Sequence, residues 1–181
     1  MRLEKPRIEM LAAEQIPEEV QQALGGNASL HIFRTLAHHP GLLEDWLQFG
    51  NRILLQSTLP ARERELAVLR VGWLCQAGYE WGQHAVIGEL SGLTKEEIAR
   101  VTEGPDADGW SELEMLVLRA TDELHTDFFI EDDTWQALVK HFDTKQMLDL
   151  VFVVGQYHLV SMALNSAGIQ PEAGLPPLPE E

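Results

Sequence analysis

The hydrophobic positions of this chain recur mainly at spacings of three and four residues, and that period predicts helices. One apolar stripe lies within residues 41–57 and consists of Leu43, Trp46, Leu47, Ile53 and Leu54. The run LVFVV at residues 150–154 has the β-branched composition of a strand, but it lies inside a longer stretch of helical period. The pattern therefore predicts an all-α fold.

Capping residues and helix breakers place the ends of the predicted helices. Pro17 opens a short helix that Gly25-Gly26 ends, and Pro60 opens a long central region. Asp132 and Asp133 are predicted to cap a helix that runs through His141. Three capping boxes are formed by Thr94 with Glu97, Ser111 with Glu114, and Asp143 with Gln146. The other predicted helices span residues 30–39, 41–57, 60–75, 79–90 and 146–168.

The chain divides into three segments by composition. Residues 1–27 are predicted to be an N-terminal segment with one short helix, and residues 28–168 a single helical domain. Residues 169–181 are rich in proline and glutamate, which predicts an extended, flexible tail. A chain of 181 residues is long enough for one domain with a sizeable core.

The charge balance and the single cysteine narrow the class of protein. With 29 acidic and 13 basic side chains, the net charge of −16 would repel a phosphate backbone, so no nucleic-acid partner is expected. No apolar run approaches the roughly 20 residues of a membrane span, and no secretion signal is evident. Cys75 has no second cysteine to pair with. These features predict a cytoplasmic protein without a membrane partner.

Glu80 and His84 are the first candidates for chemistry. Their spacing of four residues within a predicted helix puts both side chains on one face. They are either an exposed acid–histidine pair or a buried pair that transfers protons near neutral pH. The apolar neighbours Tyr79, Trp81 and Val86 favour a buried helix, where an acid or an imidazole needs partners.

Charged residues of the preceding helix add to this group. Glu65 is either one of several exposed charges in the sequence RERE or an inward carboxylate that orients His84. Arg62, Arg64 and Arg70 either solvate their helix or offer a bidentate site for a substrate carboxylate.

Other reactive residues have simpler interpretations. Cys75 is interpreted as a small core residue, and His158 as a core or interface histidine able to approach the site from another helix. His38 and His39 precede Pro40 and are interpreted as a helix end. Glu80 and His84 supply two metal ligands, but no third follows at a recognised spacing, so neither a metal nor a cofactor is expected.

Residues 61–101, ARERELAVLRVGWLCQAGYEWGQHAVIGELSGLTKEEIARV, resemble the core of the carboxymuconolactone decarboxylase family, which includes alkyl hydroperoxidase D. The resemblance extends over about residues 30–166. The hydroperoxidase branch has a glutamate, a CxxC pair and a histidine, and in that frame Glu65 and His84 match while the cysteines fall on Ala77 and Glu80. A dithiol peroxidase is therefore not expected, because disulfide exchange needs two thiols.

The decarboxylase branch has a glutamate four residues before its histidine, as in EWGQH here. The resemblance implies an alkyl hydroperoxidase D-like helical bundle that forms a homo-oligomer, trimeric or hexameric, with sites near subunit interfaces. It implies cofactor-free, carboxy-lyase-like chemistry on a small organic acid or lactone. Isomerisation or lactone opening on the same scaffold, and a non-catalytic oligomer that binds a ligand or partner, are the alternatives.

Roles for single residues follow from that implied reaction. His84 would protonate the carbanion left by decarboxylation or stabilise its oxygen, and Glu65 or Glu80 would set the tautomer of His84. The substrate-binding residues are predicted to be Arg70, Tyr79, Trp81 and Trp73, with one of Arg62, Arg64 and Arg70 holding a carboxylate that is retained.

Overall fold

The structure is a computed structural model that describes residues 2–180, and every regular element in that range is a helix. The α-helices are α1 Glu18–Leu24, α2 His31–Leu36, α3 Pro40–Leu55, α4 Ala61–Leu74, α5 Gly78–Leu90, α6 Lys95–Arg100, α7 Glu112–Thr126, α8 Asp132–Leu138 and α9 Thr144–Ala167. Short 3-10 turns occupy Ala13–Gln15, Gly25–Ser29 and Val101–Glu103. The all-α prediction is confirmed, and LVFVV lies inside α9.

The predicted capping boxes of α6, α7 and α9 are all present, with the first residue of each box accepting from the backbone of the third helical residue. Two other helix ends differ from the prediction. Helix α8 follows Glu131 without a side-chain cap, and Asp132 and Asp133 lie in its first turn, where they favour the helix dipole. The His39 ring accepts a hydrogen bond from the Leu42 backbone, so it caps the start of α3 instead of closing α2.

Helix α4 forms the centre of the molecule and packs against α5, α7 and α9. Its side chains from Glu65 to Val71 are buried on every face of the helix, with Leu66, Val68 and Leu69 fully inaccessible to solvent. A helix that is buried all round has no solvent face to carry its charged residues. Glu65 and Arg70 are therefore inside the protein, and each requires a partner there.

Helix α5 returns antiparallel to α4 after a tight turn. Gln76 adopts a left-handed backbone conformation, with φ of 52°, and Ala77 then precedes α5. The reversal places the N-terminal half of α4 beside the C-terminal half of α5. Residues 19 positions apart in sequence, such as Glu65 and His84, are brought into contact by this hairpin.

Helix α9 has the length and composition of a membrane span, with a mean hydropathy of 1.5 over an 18-residue window. The sequence scan for uninterrupted apolar runs missed this property because Gly155, Gln156 and His158 divide the helix. Half of the window is buried inside the fold, where α9 packs against α3, α4 and α7. That burial is characteristic of a core helix, and composition alone is weak evidence for a membrane.

Residues 169–180 belong to the segment predicted to be a flexible tail, and several of them contact the domain. Ile169 is buried, and Leu178 packs against the main core. Glu172 accepts hydrogen bonds from the His31 backbone, the Tyr79 hydroxyl and the Gln83 amide. Apolar side chains spaced among its prolines attach the segment to the domain. Restricted backbone freedom at proline lowers the entropy lost in this attachment.

Candidate active site

A cavity of about 140 Å³ lies between α2, α3, α5 and α9, and one face of α5 forms its floor. Tyr79, Glu80, Gln83, His84 and Ile87 line it from α5. These positions share one side of a helix with 3.6 residues per turn, whereas Trp81, Ala85 and Gly88 lie on the opposite side. The other apolar lining residues are Leu30, Ile32, Phe33, Leu47, Leu54 and Val160.

Glu65 and His84 form a short hydrogen bond of 2.6 Å between Oε2 and Nδ1, and the Glu65 side chain is fully inaccessible to solvent. The second oxygen of Glu65 accepts from Nε of Arg64 at 3.1 Å. Burial alone would raise the pKa of Glu65, but the charge and hydrogen bond of His84, together with Arg64, lower it below its usual value. Glu65 is therefore the ionised member of the site.

The pKa of His84 is raised. Burial acts against protonation of the ring, but the charge and the hydrogen bond of Glu65 outweigh burial, and Glu80 adds to the effect. With its Nδ1 proton donated to Glu65, the ring directs Nε2 towards Glu80. The edge-to-face contact with Tyr157, at a centroid separation of 4.8 Å, fixes the plane of the ring.

Glu80 is the second carboxyl of the site, with Oε2 at 3.4 Å from Nε2 of His84. Its burial raises its pKa, and the negative charge of Glu65 acts in the same direction against the opposing effect of His84. Two carboxyl groups beside one imidazole therefore have pKa values displaced in opposite directions. Such a separation favours Glu65 as the ionised carboxyl and makes Glu80 the carboxyl that loses its proton at the higher pH.

The predicted arginine clamp is not part of this site. Arg70 is 8 % exposed and binds Asp122 through two hydrogen bonds of 2.6 and 2.9 Å, while its remaining Nη donates to the carbonyls of Val101 and Thr102. The lining of the cavity contains no arginine among residues 2–180. Arg70 does not line the cavity, and its donors join α4, α7 and the Val101–Glu103 turn, so the structure gives no support for its predicted role in substrate binding.

The other two arginines are also engaged elsewhere. Arg62 binds Glu97 and Glu114 and thereby links α4 to α6 and α7. These two carboxylates raise its pKa. Arg64 contacts the site only through Glu65. Its part is to help keep that carboxylate ionised, and a role as a carboxylate clamp is not supported for any of the three.

The aromatic predictions divide between two faces of α5. Tyr79 lines the cavity, and its hydroxyl donates to Glu172 at 3.0 Å. Trp81 and Trp73 instead pack edge to face in the main core, at a centroid separation of 6.3 Å. Neither tryptophan lines the cavity, because residue 81 follows Glu80 by a rotation of about 100° around the helix and so faces the core.

Several polar residues of the cavity were not predicted, namely Trp46, Asn51, Gln83, Gln156 and Tyr157. Trp46 Nε1 and Gln156 Oε1 are buried and have no hydrogen-bond partner among the described residues. Buried polar atoms normally have one, so these two atoms are exceptions among the residues that line the cavity. The sequence does carry a signal for Gln156, which is an amide in the middle of an otherwise apolar helix.

Cys75 and His158 lie outside this cavity. His158 extends from α9 towards His125 of α7, with His125 Nδ1 and His158 Nε2 separated by 2.8 Å, and Cys75 lies beside both rings. The interpretation that His158 approaches the site around His84 is therefore not supported. The two groups of residues are separate, and only the group around His84 opens into the cavity.

The all-helical domain of this chain has a fold of the alkyl hydroperoxidase D type. Its chain of carboxylate, imidazole and carboxyl groups lies at a small cavity. A peroxidase-related protein with an AhpD core from Ralstonia eutropha JMP134 superposes with a TM-score of 0.82 at 18% identity over 93% of each chain. A peroxidase-related protein from Silicibacter sp. TM1040 gives 0.78 at 16% over 96% of each chain. A cysteine-to-alanine variant of the debrominase Bmp8, in complex with 2,3,4-tribromopyrrole, gives 0.75 at 15% over 94% of each chain.

The sequence supports a narrower assignment. The model of the carboxymuconolactone decarboxylase family matches residues 40–123, a segment that contains Glu65, Glu80 and His84. This match covers 84 of the 181 residues and agrees with the resemblance predicted from the sequence. No curated protein sequence matches the chain.

Proposed function

We propose that this protein is a cofactor-independent, proton-transferring enzyme of the carboxymuconolactone decarboxylase type, acting on a small organic acid or lactone. One observation carries the proposal. Only the His84–Glu80 end of the buried chain lines an apolar cavity, while Glu65 and Arg64 lie behind it. The charged pair of Glu65 and His84 lies behind Glu80, the protonated acid. This arrangement can move a proton in a site with little water.

Each residue has a defined part in decarboxylation, the leading reaction. The bond between the substrate carbon and its carboxylate breaks, carbon dioxide leaves, and the electron pair moves to an enolate oxygen. The Nε2–H of the His84 imidazolium stabilises that oxygen, and Glu80 gives its proton to the carbon. Glu80 is then reprotonated from solvent. Glu65 is a positioning residue that keeps His84 protonated and oriented.

The electrostatics of the cavity restrict the substrate. His84 and Glu65 together carry no net charge, and the cavity lining within the described range offers no further cation. A substrate with two carboxylates would leave one of them without a partner in an apolar space, at a high desolvation cost. A neutral lactone or a monocarboxylic acid that loses its only carboxylate fits this environment better. Isomerisation and lactone opening use the same residues and remain the alternative reactions.

The size of the cavity restricts the substrate further. A dry protein cavity of about 150 Å³ can hold benzene. The volume of about 140 Å³ here therefore suits one small ring. The neighbouring debrominase structure contains 2,3,4-tribromopyrrole, also a single ring.

The test is proton NMR in deuterated water with β-keto acids, carboxylated lactones, muconolactones and unsaturated lactones, with carbon dioxide release followed in parallel. Wild type is expected to turn over at least one compound and to place deuterium at the protonated carbon. His84→Ala and Glu80→Gln are expected to lower kcat by about 100-fold to 10,000-fold. Glu89→Gln, an exposed carboxyl on the same helix, is the matched control and should change kcat by less than about twofold.

Three outcomes would contradict the proposal. Turnover that survives in His84→Ala would remove the imidazole from the mechanism. Loss of turnover in Glu89→Gln as well would indicate a general effect of the substitutions. Saturable binding of a ring compound without turnover in wild type would support the non-catalytic alternative, a family-fold protein that binds a ligand.

We infer in addition that copies of the chain associate, because α9 leaves apolar side chains exposed. Phe49 of α3 and Phe152 of α9 contact each other at a centroid separation of 6.2 Å and are 40 % and 52 % exposed. Leu148, Leu159 and Met162 continue this face. Light scattering should give a homo-oligomer that Phe152→Asp dissociates. Leu90→Asp, an exposed apolar residue at the end of α5, should leave the assembly unchanged. A monomeric wild type would contradict this inference.

A further inference from the structure

Three half-buried side chains, carried by or next to three helices, meet outside the cavity of the proposed active site. Cys75 follows the last residue of α4, His125 lies in the last turn of α7, and His158 lies in the middle of α9. One ligand atom of each residue lies within 4.8 Å of the other two. None of the three lines the cavity of the proposed function, so that function leaves them unexplained.

We propose that Cys75, His125 and His158 form a binding site for a divalent transition metal ion, with Zn²⁺ as the preferred ion. A thiolate with two imidazoles is a ligand set of intermediate softness that favours zinc over magnesium or calcium, which prefer oxygen. Three protein ligands leave a fourth tetrahedral position for water or a small molecule. The metal site that was weighed in the sequence analysis would have had Glu80 and His84 as ligands instead.

The orientation of His158 supports a ligand role independently of the distances. Its Nδ1 lies 2.8 Å from the carbonyl oxygen of Val154, an acceptor that requires the Nδ1–H tautomer. Nε2 then carries no proton, and its lone pair, which accepts a hydrogen bond from His125 Nδ1–H, points towards the other two residues. A histidine that ligates a metal commonly donates its second ring N–H to a backbone carbonyl in this way.

The backbone of Cys75 is fixed as well. Its carbonyl accepts a hydrogen bond of 2.8 Å from the side-chain amide of Asn165, which joins the C-terminal end of α4 to α9. Helix α9 therefore holds both His158 and the backbone that carries Cys75. A site assembled on helices and fixed by such contacts loses little conformational freedom when it binds an ion.

The geometry needs only small side-chain movements to accept zinc. With Zn–N near 2.0 Å and Zn–S near 2.3 Å, ligand atoms in a tetrahedral site lie about 3.3–3.8 Å apart. His125 Nδ1 and His158 Nε2 are closer than this, at 2.8 Å, because they share a hydrogen bond. The ion would replace the proton between the two nitrogens and draw in the sulfur of Cys75.

The experiment uses untagged, full-length protein stripped with a chelator and titrated with Co²⁺ and then with Zn²⁺. Because Cys75 is the single cysteine of the chain, thiolate-to-cobalt charge-transfer absorption in the near ultraviolet reports on this residue alone. We expect one Co²⁺ per chain with that absorption, and stoichiometric loss of it when Zn²⁺ is added. Zinc affinity is measured by competition with a chromophoric chelator.

Variants separate this site from other histidines. Cys75→Ser and His158→Gln are expected to weaken zinc binding by more than about 100-fold. His141→Ala is the matched control, since His141 faces Glu112 at the opposite end of α7 from His125, about 20 Å away at about 1.5 Å per residue. His84→Ala is a second control for the proposed active site. Both controls should keep wild-type affinity within about twofold.

Two results would overturn the proposal, and both use folded protein. Wild type with native circular dichroism but no thiolate-to-cobalt absorption would show that Cys75 is not a ligand. An equal loss of zinc affinity in His141→Ala and His158→Gln would indicate adventitious binding by surface histidines. If the ligand variants fail to fold, the absorption of wild-type protein still decides the question.

Discussion

Two hydrogen bonds between imidazole and another titratable side chain have nearly equal lengths and different electrostatics. His84 binds the carboxylate of Glu65 at 2.6 Å, whereas His125 binds the imidazole of His158 at 2.8 Å. The pKa of His84 is raised, since the negative charge of Glu65 outweighs the effect of burial. The pKa of His125 is lowered by burial and by the neighbouring His158, with Asp122 acting weakly in the other direction.

This difference shows that the partner of a histidine determines the chemistry open to it. An imidazole held as a cation beside a carboxylate can donate protons and stabilise an oxyanion. An imidazole held neutral beside another imidazole keeps a lone pair, which is what a metal ion requires. One fold therefore presents the same side chain with pKa values displaced in opposite directions, and each of the following predictions tests that contrast.

The largest expected effect comes from removing the hydrogen-bond partner at each site. Glu65→Leu leaves the buried imidazole of His84 without its counter-charge, and such broken pairs typically cost about 3–5 kcal/mol. His158→Leu removes one neutral hydrogen bond to His125 and should cost about 0.5–1.5 kcal/mol. Urea denaturation of metal-free protein at neutral pH measures both free energies of unfolding. Glu89→Leu serves as an exposed control, and equal costs at the two sites would contradict the contrast.

The second prediction concerns the pKa values themselves. In NMR titrations of metal-free protein, His84 should titrate above the usual imidazole value of 6.5 and His125 below it. Glu65→Gln should lower the pKa of His84 and leave that of His125 unchanged, because Glu65 acts only on the first. A titration of both rings at the same pH would show that the two environments do not differ.

The same directions predict the pH dependence of stability. The raised pKa of His84 contributes stability fully below pH 6.5, and this contribution is lost as pH rises through the folded value. The lowered pKa of Glu65 contributes fully above pH 4.5 and is lost as pH falls. The pair should therefore stabilise most between pH 4.5 and 6.5, seen as the difference in unfolding free energy between wild type and His84→Gln. A difference that grows above pH 6.5 would reverse the assignment.

Local sequence signals were sufficient for much of the fold and for the centre of the candidate site. The capping boxes depend on residues three apart, and the hydrophobic period depends on a single helix, so both are visible in the sequence. The contact of Glu65 with His84 was left open between two interpretations. It is formed because α4 and α5 make an antiparallel hairpin, and the sequence alone does not show which side of a helix buried all round faces the partner.

The features that the sequence did not reveal depend on contacts between distant segments. Arg70 looked available for a substrate until the fold supplied Asp122 and two carbonyls. Gln156 reaches the cavity only because α9 packs beside α3 and α5. Cys75 and His158 are brought together by the packing of the helices, and no characteristic residue spacing in the sequence indicates their contact. Each of these depends on tertiary structure, which local period and capping do not specify.

The smallest expected effect follows from Arg70→Gln, which changes the surroundings of His125 without touching either imidazole pair. Arg70 lowers the pKa of His125 and Asp122 raises it, so removing the arginine and freeing its partner should shift that pKa upward. His84 should not respond, since Arg70 is not among the charges that set its pKa. The measurement is the same NMR titration, with Arg119→Gln, whose partner is the exposed Asp106, as the control.

Arg70→Gln also tests the carboxylate clamp with a separate readout. Because the donors of Arg70 are used in structural hydrogen bonds, KM for any substrate found in the panel should stay within about twofold of wild type even where stability falls. A large rise in KM together with an unchanged pKa of His125 would indicate that Arg70 binds the substrate. An unchanged KM together with a raised pKa of His125 would indicate that Arg70 does not bind the substrate. Among the described residues that line the cavity, His84 would then be the cation that contacts an anionic substrate.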